Sequence, residues 1–201
     1  MAMRRATAFI GCVFGLLSPL FGQQAPSGPK KVTPEQQNYQ DPVKQFWAER
    51  ERLQVTAKQA FDAEMAQEKA GDCTDAGTGY DLNVCANKAL AATNQNLKAY
   101  AGAIREILGL KMPDAGFPAH AGPDGMPTTP EQDVAEFDRI EQARRLYIDA
   151  VCTAAHHQYG GGTGGPSAEL VCRVRLTRGH MKELDGIYKI CCTSKPVHEM
   201  R

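Results

Sequence analysis

The sequence lacks an excess of charge of either sign. Its 201 residues include 23 lysines and arginines and 23 aspartates and glutamates, so the formal net charge at pH 7 is zero. Proteins that bind DNA or RNA need a basic surface that pairs with phosphates. We therefore expect no nucleic acid among the partners of this chain.

The sequence also lacks an apolar run suited to a membrane span, which needs about 20 residues. Residues 1–22 instead carry two arginines near their start and continue with a short apolar segment that a serine and a proline interrupt. This pattern is typical of a secretory signal peptide. We expect cleavage near Gly22 or Ala25 and a secreted or periplasmic mature chain without a stable membrane span. A retained N-terminal anchor is the alternative.

Loss of the signal peptide changes the charge and the cysteine count. Without Arg4 and Arg5 the chain has 21 basic and 23 acidic residues, and without Cys12 it keeps six of its seven cysteines. Six cysteines in an exported chain fit a disulfide framework better than a set of thiols or metal ligands.

Strand-like patterns are missing as well. No stretch alternates polar and apolar residues over the length of a strand, so we expect essentially no β-sheet. Apolar residues recur at helical spacing instead. The predicted fold class is all-α, a disulfide-stapled bundle of about four helices arranged as two antiparallel hairpins. The predicted helices span residues 42–70, 80–108, 130 to just beyond 152, and 168–190.

Composition divides the rest of the chain. Residues 23–40 are rich in proline, glutamine and lysine, which predicts a flexible lead-in. Asp41 is expected to cap the first helix, with Pro42 in its first turn. Residues 41–201 are expected to form a single helical domain, and a proline- and glycine-rich loop at 111–128 divides that domain into two similar halves.

The third predicted helix has a clear start. Thr129 and Gln132 are spaced for a capping box around Pro130. The apolar positions that follow predict a buried side made of Val134, Phe137, Ile140, Ala143, Tyr147 and Val151.

Four cysteines fall near the turns of the two hairpins. Pairing Cys73 with Cys85, and Cys152 with Cys172, would join antiparallel neighbours at their shared turn. Each such small loop contributes about 3 kcal/mol in the chain-entropy model. Six cysteines allow many other pairings, so this connectivity is a prediction.

Cys191 and Cys192 are adjacent, and adjacent cysteines seldom form a bridge with each other. They link to another chain, hold the C-terminal tail or stay free; the sequence does not decide among these.

Two segments around the cysteines match a known pattern. Residues 81–86, Asp-Leu-Asn-Val-Cys-Ala, resemble the (Met/Leu)-Asn-x-Cys-Ala motif of the LprI-like lysozyme inhibitor family. Residues 147–152, Tyr-Ile-Asp-Ala-Val-Cys, are similar to the family's Tyr-Arg-Asp-Ala-x-Cys. Cys73 falls where the family has its first cysteine. The family's closing block is matched by Gly161-Gly162-Thr163, Cys172, Leu176-Thr177 and Glu183-Leu184.

The chain also departs from the family pattern. Thr93, Asn96 and Leu97 interrupt the family's Ala-Asp-x-x-Leu-Asn-x-x-Tyr helix. Arg144 stands where Trp is common, and His180 stands where Arg is usual. These departures weaken the transfer of a binding surface to this chain, but not the transfer of the fold.

The resemblance implies a secreted, helical, disulfide-bonded and non-catalytic binding protein, in a family named after a mycobacterial lipoprotein that inhibits lysozyme. The expected partner is a lysozyme or another envelope protein, whose cleft this chain would occlude. An acidic stretch in the third helix could attract a basic enzyme. Its members are Glu131, Asp133, Glu136, Asp138 and Glu141.

Two alternatives stay open. Acidic residues near a helix N-terminus are favoured by the helix dipole without any partner. The whole chain could also be a structural, envelope-associated interaction module with no link to lysozyme.

The sequence contains no pair of acid–base groups at a coherent spacing, so we do not expect an enzyme. His156, His157 and His180 near Cys152 and Cys172 suggest a metal site. Oxidation of exported cysteines competes with that hypothesis, so neither a metal nor another cofactor is expected.

Overall fold

The computed structural model describes residues 34–113 and 128–190, with side chains from residue 41 onward. The predicted signal peptide lies outside the described residues, as do Cys191, Cys192 and most of the predicted loop at 111–128.

The described residues form four helices and no strand, which confirms the all-α prediction. The capping box predicted at Thr129 and Gln132 is present. The helices are α1 (Pro34–Ala70), α2 (Gly79–Gly109), α3 (Pro130–His157) and α4 (Gly164–Tyr188).

The helices pack as the two predicted hairpins, α1 with α2 and α3 with α4, and α4 also packs along α2. Hydrogen bonds between α2 and α4 join Asn83 to Ser167 and Tyr100 to Asp185. Because these pairs have nearly equal sequence separations, α2 and α4 run parallel. The helices α1 and α3 therefore end, and α2 and α4 begin, at the same end of the bundle.

The start of α1 differs from the prediction. The helix begins at Pro34, so residues 34–40 of the predicted flexible lead-in are helical, and Pro42 lies inside the helix. Asp41 is therefore not its cap. Pro34 takes a first-turn position, where the missing N–H of proline has no partner to lose. The residues between the two prolines include a glutamate and three glutamines, which are good helix formers.

The start of α4 also differs. The sequence predicts that this helix begins at residue 168, but residues 164–167 form its first turn. Pro166 suits that turn because its backbone needs no N–H there. Gly165 lets α4 approach α3, since a Cβ at this position would lie 2.9 Å from the ring of His156.

The core is centred on α2. Along its length a stripe of residues at helical spacing is buried, namely Ala86, Thr93, Leu97, Tyr100, Ile104 and Ile107. Tyr100 donates its hydroxyl to Asp185 at 3.0 Å. The other helices pack large apolar side chains against this stripe, among them Leu53, Phe137, Met181 and Leu184.

The buried side of α3 is only partly the predicted one. Phe137 is buried, and Ile140 and Val151 pack against buried residues, as predicted. Ala143 and Tyr147, however, are exposed, and 59% of the surface of Tyr147 is accessible to solvent. Glu141 and Arg144 take inward positions instead, with side chains only 13% and 15% exposed. Because two charged residues face inward, the apolar pattern alone misplaces the middle of the buried side. The fully buried residues of α3 are Phe137, Ile148 and Cys152.

A buried carboxylate joins three helices. Glu64 in α1 has no exposed surface. It accepts hydrogen bonds in α2 from the Thr93 hydroxyl at 2.7 Å and from the Asn96 amide at 2.8 Å. It also accepts one from Nε of Arg178 in α4 at 2.5 Å. The position of α1 on the bundle is therefore set by directional bonds as well as by apolar contact.

Arg178 continues this network to the turn after α1. Two of its guanidinium nitrogens donate to the carboxylate of Asp72, which directly precedes Cys73. These hydrogen bonds hold the pKa of Asp72 below its ordinary value. Burial by itself would lower the pKa of Arg178, but its bonds to Asp72 and Glu64 outweigh burial and raise it. We call Glu64, Asp72, Thr93, Asn96 and Arg178 the ionic network.

Replacing Arg178 with methionine is expected to lower the free energy of unfolding by about 3–5 kcal/mol, because the buried Glu64 would lose its positive partner. The matched control is Arg175→Met, an exposed position on the same helix, which should change it by less than about 0.5 kcal/mol. Urea unfolding followed by circular dichroism measures both. Equal effects in the two variants would contradict a stabilising role for the network.

Candidate functional site

Both predicted disulfides are present, and both lie at one end of the bundle. The bridge Cys73–Cys85 closes the turn between α1 and α2, and the bridge Cys152–Cys172 joins the end of α3 to the start of α4. We call this end, with its turns at residues 71–78 and 158–163, the staple end.

The turn at 71–78 has a tightly specified backbone. Gly71 has a φ of 81°, and Cys73 has a φ of 58°, which is uncommon for a residue with a side chain. Thr78 caps α2 by accepting a hydrogen bond from the Asp81 N–H at 3.1 Å. The Thr78 hydroxyl in turn donates to the Asp81 carboxylate at 2.7 Å. Together with the bridge, these contacts fix the first turn of α2.

The other turn is held by charged side chains. Nδ1 of His156 lies 2.9 Å from the Glu169 carboxylate. Arg173 donates to Glu169 and to Asp149, in each case at 2.8 Å. The hydrogen bonds from Arg173 and His156 hold the pKa of Glu169 below its ordinary value. Asp149 of the 147–152 motif therefore has an arginine partner.

A hydrogen bond joins the two hairpins at the staple end. Ser167, buried in the first turn of α4, donates its hydroxyl at 2.9 Å to the side-chain oxygen of Asn83. Asn83 is the asparagine of the 81–86 motif, two residues before Cys85. The motif residues thus contribute both to a disulfide and to the contact between the hairpins.

The five acidic residues predicted as a binding face lie in the first half of α3, away from the staple end, and do not form one uniform surface. Glu131 pairs with Lys111 at 2.7 Å. Asp138 accepts two hydrogen bonds from Arg105, at 2.8 and 2.9 Å. Two of the five negative charges are therefore compensated by cations on the protein itself.

Asp133 and Glu136 lie near the phenol of Tyr188. Burial raises the pKa of Tyr188, and the negative charges of Glu136 and Asp133 raise it further. Glu136 is exposed and Asp133 is half-buried. Among the five predicted acidic residues, Glu136 is exposed and forms no ion pair with another described residue.

Glu141, the fifth member, faces the interior. Its Oε1 lies 2.5 Å from Nε2 of His180, and its Oε2 lies 3.4 Å from Arg144. Burial alone would raise the pKa of Glu141, but the hydrogen bond to His180 and the charge of Arg144 outweigh burial and lower it. Burial lowers the pKa of Arg144. Two of the departures from the family pattern, at positions 144 and 180, thus meet on one carboxylate.

Metal ligation has no support in the described part of the chain. Within residues 34–113 and 128–190, no group of three or more His, Cys, Asp or Glu side chains is arranged to hold a metal ion. Cys152 and Cys172 are bonded to each other, and His156 and His180 each contact a carboxylate. Of the described helices, none combines the length and the apolarity that crossing a membrane requires.

Comparison with known proteins gives a family match. The model of a family described as "Lysozyme inhibitor LprI" matches residues 70–184, more than half of the chain. The matched part starts at the end of α1 and stops within α4, and it includes both disulfides. No curated protein and no solved structure matches the chain.

The lowered pKa of Glu141 predicts a pH-dependent contribution to stability. A carboxyl whose pKa is lower in the folded than in the unfolded chain stabilises the fold at pH values above its unfolded pKa, which is about 4.3 for glutamate. This stabilisation is lost as the pH falls through the pKa that the carboxyl has in the folded chain. Urea unfolding from pH 7 to pH 3 should therefore show a smaller loss of stability for Glu141→Gln than for the wild type.

Glu136→Gln is the matched control for this measurement, because it removes an exposed carboxylate from the same helix. A pH profile of Glu141→Gln that parallels the wild-type profile would contradict the expected role of Glu141.

Proposed function

The chain belongs to the LprI lysozyme inhibitor family, and from this we propose that it is a secreted or periplasmic binding protein that inhibits a lysozyme by occluding its cleft. The mechanism needs no chemistry from the inhibitor. The enzyme is stopped because its substrate cannot enter while the inhibitor is bound.

The observation that carries this proposal is the extent of the family match. Residues 70–184 include both disulfide bridges and both turns of the staple end. Most of α1 lies outside the match. What this chain shares with the family is therefore the disulfide-held framework, which makes that framework the part expected to carry the family's activity.

A rigid framework suits inhibition by occlusion. Groups that are already ordered before binding lose little conformational entropy on association. At the staple end, two disulfides, the cap at Thr78 and the bond between Ser167 and Asn83 hold both turns in place. These contacts support a surface whose shape is set in the free protein.

The disulfides also support the proposed compartment. Such bridges are typical of proteins in oxidising environments outside the cytoplasm. Lysozymes cleave peptidoglycan, which lies in the cell envelope, so inhibitor and enzyme would meet there. The signal peptide predicted in residues 1–22 belongs to the same proposal.

The mature chain, from residue 23 onward with its bridges intact, is expected to slow the lysis of a bacterial cell suspension by purified lysozyme. Inhibition should saturate at one inhibitor per enzyme. With a soluble glycan substrate, the apparent KM should rise while kcat stays unchanged, because inhibitor and substrate compete for one cleft.

The control is the same chain after reduction and alkylation, which should inhibit less because its turns are no longer closed. Undiminished lysis at large molar excess, with lysozymes of several structural classes, would contradict the proposal. The alternative of an envelope-associated module without a link to lysozyme would then be favoured.

A further inference from the structure

We propose that the lysozyme-contacting surface is the segment between Cys73 and Cys85, with the side chain of Tyr80 as its anchor. This inference rests on the function proposed above and adds to it a contact surface. We call residues 73–85 the stapled segment.

The first argument is exposure. Tyr80 is 77% exposed, more than any other large apolar side chain of the described residues, and Val84 is 38% exposed. Residues four apart are neighbours on a helix surface, so the two side chains share one face of α2. Tyrosine combines a large apolar ring with a polar tip and is enriched among the residues that dominate binding energies.

The second argument is that Tyr80 stands on a fixed support. It lies two residues after the cap residue Thr78 and five before the bridged Cys85. The network bond from Arg178 to Asp72 holds the other end of the same turn. An anchor on an ordered turn binds at a smaller entropic cost than one on a loose loop.

The third argument is charge. The stapled segment contains Asp75 and Asp81 and no lysine or arginine. Lysozymes are typically basic proteins, and an acidic surface attracts a basic partner and speeds the encounter. Asp75 is exposed, and Asp81 is exposed beside the cap of α2.

One other pair of exposed apolar neighbours is a rival. Leu146 and Tyr147 on α3 are 67% and 59% exposed. They lie between the exposed Arg145 and Asp149, and Asp149 pairs with Arg173, so the charge around them is not negative in excess and would not attract a basic enzyme. Exposed apolar side chains are common on protein surfaces, so exposure alone does not distinguish the two pairs. The charge around them favours the stapled segment.

The test measures lysozyme affinity and inhibition for single variants of the mature chain. Tyr80→Ala is expected to weaken Kd at least about tenfold, as truncation of an anchoring aromatic residue typically does. Tyr80→Phe should keep most of the affinity. Tyr147→Ala is the matched control, the same truncation on the rival surface, and should change Kd by less than about twofold.

A second comparison tests the charge. Asp75→Lys should slow association several-fold, and this effect should shrink at high salt. Glu136→Lys, the same reversal on the acidic half of α3, should have a smaller effect. All four altered positions are exposed, and circular dichroism verifies that the variants are folded.

The outcomes separate the two proposals. A wild-type chain that binds no lysozyme would overturn both. If the wild type inhibits and Tyr80→Ala inhibits equally well, the proposed function stands and the contact surface is wrong. If only Tyr147→Ala or Glu136→Lys loses affinity for lysozyme, the contact surface lies on α3 and the proposed surface is wrong.

Discussion

The carboxylate of Glu64 has no access to water, and its bond to Arg178 is the constraint on which the rest of the bundle depends. A buried charge is costly unless an opposite charge and further hydrogen bonds satisfy it. The donors to Glu64 within the described part of the chain come from α2 and α4, so α1 has one position in which the charge of Glu64 is satisfied. Apolar contact is non-directional and would not select that position. Since Arg178 also binds Asp72, the same network places the turn that leads into the first disulfide.

The parts of the fold that follow from local pattern could be predicted. In α2 the apolar spacing is regular, and Leu97, Tyr100 and Ile104 are buried as that spacing requires. Both disulfides also follow from helix order, because each pairs cysteines on either side of one turn. In these cases the neighbours that decide the outcome lie close in sequence, so a pattern of a few residues contains the information.

The parts that depend on distant partners could not be predicted. Glu64 and Arg178 are far apart in the chain, and nothing near either residue identifies the other as its partner. In α3, Glu141 faces inward toward His180, and Arg144 faces inward beside Glu141, so the apolar pattern alone wrongly included Tyr147 in the buried side. The acidic half of α3 looked uniform in sequence, but Arg105 and Lys111, from the end of α2 and the residues after it, neutralise part of it.

The direction of α1 determines which end of the molecule stays accessible when the chain is attached to a surface through its N-terminal side. Its 37 residues run from Pro34 to the staple end, a distance of about 55 Å for a straight helix. Anything joined to the chain before Pro34 is therefore attached at the opposite pole from the two disulfides. A tether attached there would leave α1 between the attachment point and the staple end. An immobilised or tagged form made this way keeps the staple end accessible and holds it away from the supporting surface.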